Sequence, residues 1–89
     1  MMEIDYSKLP TYQQNQLARY IERGGEVRNF IYAVLTNDLS RAIFHANKND
    51  IGHLKDLAEF LYWEAPKECW GSPEKVKAWI ENGGTGEDL

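Results

Sequence analysis

The residues able to do chemistry in this chain are few, and their spacing is uninformative for most reactions. The metal-ligand candidates are His45, His53 and Cys69. The two histidines are eight positions apart, and no His or Cys pair has the i, i+3 or i, i+4 spacing of a helical site. No metal or cofactor is expected. Cys69 is followed by Trp70 and preceded by Glu68, with Lys67 the nearest base. A reactive thiolate needs positive charge or a helix N-terminus beside it, so Cys69 reads first as a small buried hydrophobe. Asp56 and Glu59 are three apart on one helix with Lys55 alongside, the ordinary makeup of a solvated face. No nucleophile, base and orienting group converge, so an enzyme is not expected.

Two features remain. Gly24-Gly25 precedes a helix and is accompanied by Arg19, Arg23 and Arg28. Free backbone N–H groups at such a turn would suit an anion, which is the small-ligand alternative: a nucleotide-like signal held by arginines. The competing reading is a helix C-cap with solvated arginines. The second feature is aromatic content. Eleven of the 89 residues are Phe, Tyr or Trp. Phe30, Tyr62 and Trp79 fall on apolar stripes, whereas Tyr32, Phe44, Phe60 and Trp63 fall off them. The off-stripe rings are either a second packed face or a protein-binding patch.

These residues must be carried by helices, because no segment alternates with period two. A first helix runs from Pro10 or Thr11 to about Arg23 on the stripe Leu17, Tyr20, Ile21. A second starts near Val27 on Val27, Phe30, Ile31, Val34 and Leu35. Thr36-Asn37-Asp38 interrupts it, with Thr36 or Asn37 capping a third helix that carries Leu39, Ala42, Ile43 and Ala46, a single kinked helix being the alternative. A fourth helix, capped by Asn49 or Asp50, runs to Ala65 on Ile51, Leu54, Leu57, Ala58, Leu61 and Tyr62. Ser72-Pro73 opens the last helix, which buries Val76, Trp79 and Ile80 and stops at Gly83-Gly84. The fold class is therefore all-α: a compact single domain of about five short helices over 1–84. Residues 1–9 form an extended lead-in pinned by Ile4, Tyr6 and Leu9, and 85–89 a flexible acidic tail.

Charge is divided along the chain. Residues 1–45 hold five acids and five bases, while residues 46–89 hold nine acids and five bases, which accounts for the net −4. Non-specific nucleic-acid binders carry the opposite excess, so no direct nucleic-acid partner is expected. A helix-turn-helix across the Asn37-Asp38 bend would offer only Arg41 as a base. No apolar run is long enough for a membrane span, no signal peptide is expected from the first residues, and a lone cysteine fits a reducing cytoplasm.

Several runs taken together carry a resemblance: Leu9-Pro10, Arg19-Tyr20-Ile21-Glu22-Arg23-Gly24, Phe30 with Ala33-Val34-Leu35, Asn37-Asp38-Leu39, Leu61-Tyr62, Glu64-Ala65-Pro66 and Cys69-Trp70-Gly71-Ser72. Over roughly residues 9–84 the chain resembles a family of short proteins encoded by tailed bacteriophages and prophages. It departs from that pattern at Trp63, where Asn is usual, at Val27-Arg28-Asn29, which replaces a Pro-Gly type turn, and at His45-Ala46-Asn47. The resemblance implies a setting, the bacterial host cytoplasm, and a mode of action, binding to a host protein or complex. Inhibition of a defence complex such as a CRISPR effector is the sharpest form. The candidate partner-binding residues are Arg19, Arg23, Asn37, Asp38 and Trp63.

Overall fold

The computed structural model describes residues 4–85. Among them are six α-helices, one 3₁₀ turn and no strand, so the protein is all-α. The helices are α1 (Thr11–Arg23), α2 (Asn29–Leu35), α3 (Leu39–His45), α4 (Lys48–Gly52), α5 (Leu54–Trp63) and α6 (Pro73–Glu81), with the 3₁₀ turn at Lys67–Cys69.

Helix α1 buries the expected stripe of Leu17, Tyr20 and Ile21. It also buries two glutamines. Gln16 accepts the Arg28 backbone N–H at 2.5 Å, and Gln13 donates to Asp50 at 3.3 Å. Each amide thereby satisfies polar backbone or side-chain groups that burial would otherwise penalise. Tyr20 joins distant parts of the chain. Its hydroxyl donates to the Cys69 carbonyl at 2.6 Å, and its own carbonyl accepts Trp79 Nε1–H at 3.0 Å.

The lead-in is pinned by the expected residues: Leu9 is buried, Ile4 and Tyr6 pack on the core, and the Tyr6 and Phe60 ring centroids are 5.3 Å apart. It is not extended throughout, because the Leu9 N–H donates to the Tyr6 carbonyl at 3.0 Å and closes a turn. Residues 1–3 lie outside the described residues. At the other end, Thr85 donates its N–H to the Ile21 carbonyl at 2.9 Å, so the loose tail expected from 85 does not begin there. Residues 86–89 of that tail lie outside the described residues.

The expected fourth helix is two helices. Gly52 and His53 break it, and α4 begins earlier than Asn49 or Asp50. Asn47 is the cap, in a reciprocal box: its side chain accepts Asp50 N–H at 2.7 Å, and Asp50 accepts Asn47 N–H at 3.1 Å. Asp50 is buried, and its other oxygen accepts the Tyr12 hydroxyl and the Gln13 amide. The break also re-phases α5, whose buried stripe is Leu57, Phe60 and Leu61. Phe60 is core rather than far-side, while Tyr62 and Ile51 are exposed.

The glycine pairs that end α1 and α6 meet each other. A Cβ on Gly24 would stand 2.9 Å from the Gly83 Cα, and one on Gly84 would stand 2.6 Å from the Arg23 nitrogen. Both residues have positive φ, +72° and +71°. Backbone therefore packs on backbone where the two C-termini touch, a contact that only glycine permits.

No helix among the described residues is long and apolar enough to cross a membrane.

Candidate functional site

Helices α2 and α3 pack on one another through the bend at 36–38. Helix α2 closes with Asn37 N–H on the Val34 carbonyl at 3.0 Å and Asp38 N–H on the Ala33 carbonyl at 2.8 Å. Asn37 takes the left-handed position of this Schellman motif, φ +65°, where asparagine is the residue best tolerated after glycine. It is therefore neither Asn37 nor Thr36 that caps α3. Asp38 does so, accepting Arg41 N–H at 3.1 Å, while its carboxylate pairs with the Arg41 guanidinium at 3.5 Å.

This bend forms one end of an apolar groove of about 420 Å³ between α3 and α5. Val34, Leu39, Ala42, Leu54, Ala58, Leu61 and the Trp70 ring line it. Asn37, Asp38 and Lys55 supply the polar lining. Lys55 also lies 4.0 Å from Glu59 one turn along α5. Trp70 is held in place because the next residue, Gly71, donates its N–H to the Leu35 carbonyl at 2.7 Å. That bond docks the segment after α5 on the end of α2.

The surface around the groove is unusually apolar. On α3, Leu39 is 66% exposed, Ile43 50% and Phe44 84%. Leu39 and Ile43 were expected to be buried, but α3 is short and buries only Ala42. At the end of α5, Tyr62 is 67% exposed and Trp63 74%, with the two rings edge-on at 4.7 Å between centroids. These two rings, with Trp70, open a second cleft that also carries Lys67, Gly71 and Lys75. On the other side of Trp63 lies an acidic hollow lined by Asp5, Asp56, Glu59 and Glu64, with Lys8 and Phe60. The acidic surface thus recruits Asp5 from the first half of the chain, whose N–H donates to Glu64 at 3.2 Å. The Ser7 hydroxyl and backbone N–H hold the Asp5 carboxyl below its usual range.

Of the candidate residues, Asn37 and Asp38 meet at the groove and Trp63 stands between the cleft and the acidic hollow. Arg19 and Arg23, both exposed on α1, line none of these three. The Gly24-Gly25 turn is not an anion cradle. Gly24 N–H donates to the Tyr20 carbonyl at 2.9 Å and Gly25 N–H to the Arg19 carbonyl at 3.1 Å, so both donors are spent inside the protein. Sequence reasoning missed Leu39, Phe44, Lys55 and Trp70 as site residues. The signal for Phe44 was its off-stripe position; for Leu39 and Lys55 there was none. Cys69 is fully buried, and burial pushes its thiol up to about 12. Among the described residues, no group of three or more His, Cys, Asp and Glu is placed to hold a metal ion. No protein-family model, curated protein or solved structure matches the chain.

Proposed function

We propose that this chain is a phage accessory protein that acts by protein–protein contact, receiving apolar side chains of a host protein in the α3–α5 groove. The observation that carries the reading is the exposed apolar rim of Leu39, Ile43 and Phe44 beside an apolar hollow. Monomeric proteins rarely leave such surface contiguous and uncovered unless it binds something. The resemblance of the sequence to phage and prophage proteins supports a host protein in the bacterial cytoplasm as the partner, a defence complex such as a CRISPR effector being the narrowest version. The net −4 charge and the acidic hollow beside Trp63 favour a target whose docking surface is basic.

The test pairs wild type with Ala58→Arg, which fills the groove from an exposed position without removing a packed side chain. Both are tagged and recovered from host cells at low and high salt. Wild type is expected to retain a stoichiometric host protein that Ala58→Arg loses at an unchanged melting temperature. Identical recoveries, or background alone with wild type at both salts, defeat the reading.

A further inference from the structure

The cleft next to the groove has a different chemistry from it. Its volume is about 540 Å³, within the roughly 300–1,000 Å³ typical of small-molecule sites. Three of its six lining residues are aromatic, Tyr62, Trp63 and Trp70, and the only charged ones are Lys67 and Lys75. We propose that this cleft binds a free mononucleotide, with the base against the rings and the phosphate at the two lysines. The proposal does not depend on the groove being a docking site.

Each part of the ligand has a matching feature. Planar bases stack on exposed aromatic faces whatever their identity. Tyr62 and Trp63 are both exposed and supply such faces, their rings meeting edge-on with centroids 4.7 Å apart. Lysine binds phosphate as a compact point charge. Here two lysines line one wall, with Lys75 Nζ 3.5 Å from the Lys67 carbonyl oxygen, which ties that ammonium to the 3₁₀ turn. Both lysines are exposed, and the 3.5 Å contact places the Lys75 ammonium on the Lys67 side of the cleft, where an anion would meet both charges. The ligand is the free nucleotide and not a strand. Strand binding needs a positive groove that tracks successive phosphates, and two lysines in a chain of net charge −4 serve one phosphate, not several. This differs from the anion site suggested by the arginines near Gly24-Gly25, whose backbone donors are occupied.

The experiment is a ¹⁵N titration of the full chain, read at the three tryptophan indole N–H signals. The probes are adenosine monophosphate, adenosine, inorganic phosphate and a short oligo(dA). Adenosine monophosphate is expected to move the Trp63 and Trp70 signals saturably and to leave Trp79, which is engaged with Tyr20, in place. Adenosine and phosphate separately should bind more weakly. The double variant Lys67→Ala/Lys75→Ala should weaken the nucleotide by about tenfold or more, with an unmoved Trp79 signal showing that the fold is kept. No saturation below roughly 10 mM nucleotide, an affinity indifferent to the double variant, or tighter binding of the oligonucleotide than of the mononucleotide would each overturn the proposal.

Discussion

Cys69 shows how burial decides the behaviour of a single group. The thiol is fully buried, and its carbonyl accepts the Tyr20 hydroxyl. Desolvation disfavours the thiolate and raises the thiol from its ordinary 9.0 to about 12; the Tyr6 phenol is raised from 10.0 to about 12 for the same reason. The unfolded chain releases the Cys69 proton near pH 9, whereas the folded chain keeps it. Rising pH therefore favours unfolding between about 9 and 12 and has no effect through this group below 9. The urea midpoint should be flat from pH 7 to 9 and fall above it. Cys69→Ala should start lower, from the lost packing, and begin its fall nearer pH 10, where tyrosine ionises. Native protein at pH 8 should resist a thiol reagent until denaturant is added. A fast native reaction would place Cys69 at the surface and refute its burial. The burial of Cys69 was legible in the sequence as the reading its neighbours favour, while the nearby start of α6 at Ser72 left its reactivity open. The burial of Phe60 was not, since it depends on how a helix is rotated and not on the residue itself.

At the scale of elements, capping residues were readable where a side chain makes the cap and unreadable where a competing candidate stood nearby. Ser72-Pro73 opens α6 as expected, with Ser72 accepting Lys75 N–H at 3.2 Å. Asn47 and Asn49 are both competent N-caps, and Asn47 prevails because it alone places an acid three residues on, at Asp50, to close the box. Starting there brings Asp50 inward to meet Tyr12 and Gln13 from α1. The continuous apolar pattern from Ile51 to Tyr62 concealed the break at His53, and one helix drawn through that break turns the stripe toward Ala58 and Tyr62. The meeting of the glycine pairs was equally hidden, because sequence shows that a helix stops but not what the stop touches. That contact makes a firm prediction. Gly84→Ala should destabilise by at least about 2 kcal/mol in urea titrations, combining a left-handed backbone position with a clash against the end of α1. An alanine there within about 0.5 kcal/mol of wild type would mean that the two helix ends are not in contact.

For the whole molecule, the fold class followed from periodicity, whereas the location of the site followed from what the periodicity failed to bury. The protein measures 35 × 27 × 19 Å. A body this thin has little interior, and several apolar side chains that would be internal in a larger domain are left outside. Leu39 and Ile43 fall at helical spacing with Ala42, which points them inward, yet they lie on the rim. Three acids of the second half, Asp56, Glu59 and Glu64, share a hollow with Asp5 from the first. If the exposed rings belong to binding and not to folding, Trp63→Ala and Leu39→Glu should each shift stability by no more than about 0.5 kcal/mol. A loss above about 2 kcal/mol from either would show that the ring or the leucine holds the fold together.

Tyr20 carries a consequence for how the chain reaches this state. Its two long-range hydrogen bonds span 49 and 59 residues, and the lead-in reaches Glu64 across 59. The α2–α3 pair, by contrast, is local in sequence. During synthesis that hairpin can form early, whereas α1 gains its partners in order along the chain: Arg28 for Gln16, then Asp50 for Tyr12 and Gln13, then Cys69 and last Trp79 for Tyr20. The face of α1 around Tyr20 therefore closes after the faces around Gln16 and Gln13, and these long-range closures slow folding relative to the local α2–α3 pair.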